Sequence, residues 1–345
     1  MPSFRRFVVA WFLSILCVTA FSAVALLAFP TFASAHQLVL DHDFPDPSIV
    51  LANDGFYYAY ATQGFTEDAS PRIINLQLAR SKNLKDWTYL GDALPVKPTW
   101  AKSTQSFWAP HIYSANNQFY LYYSANPDAG GGLCLAVATS QKPEGPFTDS
   151  GSPMICGPSY SNIDPMVVKD SATGQTLMYW GSASEPIRVR PLAPSLKEFA
   201  AGTTATNLMT PDAGATPAPY TRLYEGAWML QHDGFYYLFF SGEDCCGQPN
   251  PQYAVLVSRA TSAMGPFSFK NGNARDSLVI QARGQFSATG HNCFINDSAG
   301  QLWSFYHGVT RQHPFLDNVI PGDRVNRRVL LRSRIDFVGG WPVAK

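Results

Sequence analysis

The chain has 345 residues with 25 basic and 25 acidic side chains, 14% charged residues, 14% aromatics, and 26 each of glycine and proline. A length near the ceiling for one hydrophobic core, with so many turn formers and so few charges, excludes a disordered chain and points to a turn-rich all-β protein rather than a helical one. The balanced charge argues against nucleic acid as a partner, because phosphate binding needs a basic field.

Residues 1–35 contain Arg5 and Arg6, an apolar run from Phe7 to Phe29 and the small-residue pattern Ala33-Ser34-Ala35. That order reads as a secretory signal cut after Ala35. The run is longer than the usual core of a signal, so an uncleaved membrane anchor is the competing reading. In either case the body, 36–345, is exported to the extracellular space or a periplasm. Without the segment, 23 basic residues face 25 acidic ones, a formal charge of −2.

From Asp46 onward the chain repeats itself. DPSIVLANDGFYYAYATQG from Asp46, APHIYSANNQFYLYYSA from Ala109, DPMVVKDSATGQTLMYWGSA from Asp164, EGAWMLQHDGFYYLFFSG from Glu225 and HNCFINDSAGQLWSFYHG from His291 share one form. Each is an apolar run, a turn rich in Asn, Asp and Gly, and a β-branched and aromatic run, which is the signature of a hairpin. The five copies recur at roughly sixty residues, too long a period for most solenoids. A second strand-like pair follows each of the first four, and RRVLLRSRIDFVGG from Arg327 is a looser fifth. Four short strands per unit and five units predict a five-bladed β-propeller over 36–345.

In a propeller the first strand of every blade lines the central channel. With the hairpin turns aligned, Asp46, Ala109, Asp164, Glu225 and His291 take equivalent places at one mouth of that channel. Three carboxylates gathered in a chain poor in charge cost stability through repulsion and desolvation, which marks a site. One carboxylic acid to protonate a leaving oxygen, one carboxylate to activate water and a third acid to raise the donor's pKa are what glycoside hydrolysis needs. Asp-Pro is also an ordinary turn former, but two such pairs in register with a glutamate exceed that role.

The cysteines leave pairings open. Cys134 and Cys156 are a plausible disulfide in an exported protein. Adjacent Cys245 and Cys246 read as a vicinal bridge or as two small buried residues, and the lack of any CxxC pair argues against structural zinc. No GxSxG elbow, HExxH motif or glycine-rich phosphate loop is present. Trp180, Trp228 and Trp303 lie in apolar strands and are expected to pack between blades.

FPDPSIV, SFWAPHIY, SNIDPMVV, YEGAWM and GHNCFIND resemble the spaced motifs of glycoside hydrolase family 43, in the right order through the mature chain. The resemblance implies a five-bladed propeller that hydrolyses arabinosyl or xylosyl linkages with inversion. By position, Asp46 resembles the general base, Glu225 the general acid and Asp164 the acid that tunes it. His291 resembles the histidine near the channel axis, where many members hold a calcium; it is a tentative ligand, with a hydrogen-bonded channel histidine as the alternative, because calcium prefers oxygen. No cofactor is otherwise required.

Trp108 is a candidate sugar platform and His111 a polar substrate contact, with Asn162 and Ser182 as further hydroxyl contacts and His291 also among the expected substrate-binding residues. The expected substrate is an arabinose-containing plant cell-wall polysaccharide or oligosaccharide, and the activity that of an α-L-arabinofuranosidase or arabinanase. The chain leaves no room after the fifth blade for the C-terminal β-sandwich of many xylosidases of the family, and the Cys245-Cys246 doublet resembles arabinan-active members. DFPDPSIV is equally familiar from β-xylosidases, and APH stands where other members have APD, so xylan degradation is the alternative within the family. The rival class is a non-catalytic carbohydrate-binding propeller. After signal cleavage the protein is expected to be a monomer without membrane contact.

Overall fold

The computed structural model describes residues 36–66, 71–214, 220–246, 251–316 and 325–345. The expected signal, 1–35, lies outside the described residues. Five antiparallel sheets follow one another along the chain and form the blades of a five-bladed β-propeller. The innermost strands are Ser48–Leu51, Phe107–Ala115, Met166–Lys169, Tyr224–His232 and Phe286–Asn296, belonging to blades I to V. Among the described residues the helical turns are two short 3-10 segments, Lys270–Gly272 and Arg275–Ser277.

Alternation along the strands makes the second strand of each blade almost wholly apolar. Tyr57–Ala61 is buried throughout, as are the last six residues of Gln118–Ala125 and the last seven of Phe235–Gly242. These strands are covered on both faces, hence their continuous aromatic and β-branched character. The buried side chains divide into five main clusters, one between each pair of neighbouring blades. Trp180 packs between blades II and III, Trp228 touches three clusters, and Trp303 packs between blades V and I. Of the three, Trp180 is fully buried, and such an aromatic contributes roughly 2–3 kcal/mol.

The ring closes by a device that the repeat does not reveal. Gln37–Asp43 pairs antiparallel with Arg328–Val338 in blade V, beside the first half of that strand, while Trp341–Ala344 pairs with its second half. The N-terminal strand thus supplies the outer edge of the last blade. Arg332 secures the join: its Nε donates to Gln37 Oε1 at 3.1 Å, its Nη1 to the Leu84 carbonyl at 3.0 Å, and its guanidinium lies 4.1 Å from the centre of the Trp303 ring. Cys134 and Cys156 face each other on paired strands and are bonded, Cys245 and Cys246 form the vicinal bridge, and Cys293 is free and buried.

Candidate active site

At the channel mouth a kinked residue lies in or just before each inner strand. Asp46, Ala109, Asp164, Gly226 and His291 all have positive φ, between 45° and 62°. Pairing shows that these five are equivalent: in three blades the residues just before them, Trp108, Glu225 and Gly290, pair with Ser124, Ser241 and His307 and a bulge follows, and in the other two the N–H groups of Thr62 and Gly181 donate to the Pro45 and Ile163 carbonyls at the same place. The expected register is therefore corrected by one residue in blade IV, where Gly226 and not Glu225 holds the kinked place. Hairpin turns misled the alignment because the loops differ in length. Asp233-Gly234 is a two-residue turn between His232 and Phe235, whereas five residues separate Leu51 from Tyr57.

Positive φ in a non-glycine residue costs on the order of 1–3 kcal/mol and persists where the surroundings hold it. Here the holding groups are visible. In four of the five blades a side chain at or near the end of the second strand meets the kinked N–H of the next blade. Ala109 N–H donates to Thr62 Oγ1 at 2.7 Å, Asp164 N–H to Ser124 Oγ at 3.1 Å and His291 N–H to Ser241 Oγ at 2.7 Å, while Asp46 N–H lies 3.2 Å from His307 Nδ1. At the remaining junction the residue is Gly181, without a side chain, and Gly226 N–H donates instead to Asp164 Oδ2 at 2.9 Å. Glycine is favoured at position 226, where φ is +61° and a Cβ would lie 3.1 Å from the His291 ring, tighter than an ordinary contact.

The three acids meet. Ligand atoms of Asp164, Glu225 and His291 all lie within 4.8 Å of one another, and His291 Nδ1 is 3.3 Å from Asp46 Oδ1 and 3.9 Å from Asp164 Oδ2. Asp46 and Asp164 are buried, while Glu225 is partly exposed and so the most accessible of the three.

Their environments differ in sign. Burial would raise Asp46, but Arg328, whose Nη1 is 3.3 Å from Oδ1, then His291 and His307 outweigh it and hold the carboxyl well below the usual range. Burial and the neighbouring charges of Glu225 and Asp46 push Asp164 well above that range, against the Gly226 N–H. Burial also raises Glu225, opposed by hydroxyl donors at both oxygens, Ser182 to Oε2 at 2.7 Å and Tyr253 to Oε1 at 2.8 Å. The surroundings thus favour the protonated form in the Asp164–Glu225 pair and the ionised form in Asp46. His307, pushed down to about 4 by burial, is neutral there.

The remaining expected site residues separate. Trp108 is partly exposed and stacks on Tyr160, with centroids 6.2 Å apart and 16° between planes. His111 is instead a tie between blades: its Nε2 donates to the Val167 carbonyl of blade III at 2.9 Å, and its Nδ1 lies 3.5 Å from the Ser48 hydroxyl of blade I. Standing two residues beyond the kink, His111 is 4% exposed, and both ring nitrogens face partners within the protein. Asn162 is buried and accepts from the Trp180 indole at 3.2 Å. Ser182 meets the acid Glu225 directly.

Arg328, His307, Thr62, Tyr253 and Tyr160 were not singled out in the sequence. Tyr253 has a traceable cause: a Cβ at Gly290 would lie 2.2 Å from its ring, so the glycine makes room for the hydroxyl that reaches Glu225.

A calcium on the axis fits these residues poorly. Asp164, Glu225 and His291 bring one imidazole nitrogen to two carboxylates, whereas calcium takes six to eight oxygen ligands, so most of its shell would have to come from groups other than these three. The other candidate group, Asp244 with Cys245 and Cys246, has its sulfurs in the disulfide.

The sequence profile of glycosyl hydrolases family 43 matches residues 36–342. A probable arabinan endo-1,5-alpha-L-arabinosidase A of Aspergillus fumigatus is 28% identical, over 86% of this chain and 89% of its own length. The arabinan endo-1,5-alpha-L-arabinosidase A of Aspergillus aculeatus is 27% identical over the same shares. Among solved structures, the Cellvibrio cellulosa alpha-L-arabinanase complexed with arabinohexaose superposes with a TM-score of 0.72 at 22% identity, covering 90% of this chain and 96% of that one. An exo-1,5-alpha-L-arabinanase from a bovine ruminal metagenomic library gives 0.71 at 24% identity, covering 90% and 99%.

Proposed function

The chain belongs to family 43 of the glycosyl hydrolases, and on that footing we propose that it cleaves the α-L-arabinosyl linkages of arabinan with inversion. The observation that carries the reading is the meeting of three carboxyl groups in unlike surroundings within one pocket: Asp46 lies beside Arg328 at 3.3 Å and His291 at 3.3 Å, while Glu225, with Asp164 close by, is met by the hydroxyls of Ser182 and Tyr253. The names of the curated relatives, arabinan endo-1,5-alpha-L-arabinosidases, support the substrate.

Glu225, the accessible member, gives its proton to the glycosidic oxygen as the bond to the anomeric carbon breaks. A water on the opposite face attacks that carbon and loses a proton to Asp46. The products are a sugar of inverted anomeric configuration and the shortened chain; exchange with solvent returns the proton from Asp46 to Glu225. Asp164 acts on Glu225 through charge and through the Gly226 N–H next to it. Trp108, backed by Tyr160, offers an aromatic face to the sugar chain.

No metal is required in this reading, and rates should survive dialysis against EDTA. Residues 1–35 act as the signal in the same reading, delivering a monomer that begins at His36, which N-terminal sequencing of secreted protein checks. The main test incubates the mature chain with linear 1,5-arabinan, an aryl α-L-arabinofuranoside and an aryl β-xyloside, following the first-formed anomer by NMR and the products by chromatography. Hydrolysis of the arabinosides with inversion is expected. No turnover on any of the three would favour the binding module, and a preference for the xyloside would overturn the arabinan assignment.

A further inference from the structure

Among the three hydroxyls that clasp the kinked N–H groups, Thr62 differs from Ser124 and Ser241. Its Oγ1 accepts the Ala109 N–H at 2.7 Å and also lies 2.6 Å from Asp46 Oδ2. A hydroxyl has one proton. With the Ala109 N–H directed at the oxygen, that proton is left to the carboxylate, so the backbone of blade II fixes the direction of the bond to Asp46. Among the described residues, Ser124 and Ser241 make the same clasp without a hydrogen bond to a carboxylate. The β-branched threonine is stiff about χ1, and at 3% exposure water does not compete with it.

The other oxygen of Asp46 faces the opposite side, with Oδ1 3.3 Å from His291 Nδ1, while Arg328 reaches both oxygens at 3.3 and 3.4 Å; His307 Nδ1 is taken up as acceptor by the Asp46 N–H. Charge from Arg328 alone would not fix the plane of the carboxylate, because one guanidinium nitrogen straddles both oxygens. The short neutral donor at Oδ2 does. We propose that Thr62 is a positioning residue for the base, setting the plane of the Asp46 carboxylate so that a free lone pair meets the attacking water. The inference rests on the reading of Asp46 as the base.

The test compares Thr62→Val, which keeps the shape and removes the hydroxyl, with Thr62→Ser, which restores it. Misplacement of a reacting group by about 1 Å costs on the order of 10²-fold. In Thr62→Val, kcat should fall roughly 10- to 100-fold with KM within about twofold, and by the same factor on linear arabinan and on an aryl arabinofuranoside, since both need the water. Thr62→Ser should recover to within about threefold of the parent. Should Thr62→Val fail to fold by thermal melt, Thr62→Ala is held to the same criteria.

A Thr62→Val kcat within about threefold of the parent, a loss confined to arabinan, or a Thr62→Ser variant as slow as Thr62→Val overturns the proposal. Asp46→Asn, measured alongside, separates the two levels. If it is inactive while Thr62→Val is fast, the positioning role alone fails; if it remains active, the assignment of the base fails and takes this inference with it.

Discussion

Replacing Glu225 by glutamine removes an acid while leaving the shape of the site nearly intact. In the parent, both carboxyl oxygens receive hydroxyl protons, from Ser182 at 2.7 Å and Tyr253 at 2.8 Å. Glutamine keeps one oxygen acceptor and turns its amide N–H toward the other hydroxyl, which then rotates to accept. The exchange of one such bond costs about 1 kcal/mol, offset by relief of the repulsion from buried Asp164, so the melting temperature should move by only a few degrees.

Catalysis responds differently. A positioned general acid contributes about 10²- to 10⁴-fold, but only where the leaving oxygen needs protonation. On linear arabinan the leaving group is a sugar alkoxide, and kcat should drop by roughly 10³-fold. On a nitrophenyl arabinofuranoside, whose leaving group departs as an anion, the drop should be about tenfold or less. The pH profile gives a second reading. Because the folded pKa of Glu225 is raised, the active protonated form is present at low pH and lost as pH rises through that value. Glutamine carries no such proton, so the basic limb of the aryl-substrate profile should vanish. Steady-state rates on the two substrates across pH decide the matter; equal losses on both, or an unchanged basic limb, would remove Glu225 from the acid role.

Arg328→Met should cost about 3 kcal/mol or more, since it leaves Asp46 buried without its strongest partner. Arginine depresses the folded pKa of Asp46, so its stabilisation is present above the unfolded value of about 4 and is lost as pH falls. Denaturant titrations should accordingly show the gap between parent and variant narrowing in acid, and a gap independent of pH would refute the pairing. Replacing Cys134 and Cys156 by serine opens a cross-link spanning 22 residues, worth about 3 kcal/mol by chain entropy; an unchanged chemical midpoint would show that the bond contributes nothing. Trp108→Ala should raise KM for arabinan about tenfold while leaving kcat on the aryl substrate within about threefold, as expected of a stacking face worth roughly 1–1.5 kcal/mol; equal effects on both parameters would place Trp108 in the core instead.

The blades and the acids were legible because both are written locally. Each hairpin carries its own apolar alternation and turn, and Asp46, Asp164 and Glu225 each head one. What was not legible is what surrounds them. Arg328 reaches Asp46 across 282 positions because the strand Gln37–Asp43 closes the ring against Arg328–Val338, a pairing that no internal repeat announces. His111 looked like a polar group on an inner strand, yet its meaning depends on the Val167 carbonyl and Ser48 in two other blades. The register of Glu225 slipped because turns of unequal length were used as the ruler, and a slip of one residue changes which side of a strand a side chain occupies.

A better ruler lies in the residue that stands opposite the place just before each kink, at or near the end of the second strand. Thr62, Ser124, Gly181, Ser241 and His307 occupy that place, four with a hydrogen-bonding side chain and one without. The single glycine falls where the carboxylate of Asp164 takes over the clasp on Gly226. The break in the pattern therefore marks where the fold hands a structural bond to a member of the site, which ties the position of Asp164 to the backbone beside Glu225. A proton-sharing pair placed this way is set by main-chain geometry, and its spacing should vary little with the loops that surround the mouth.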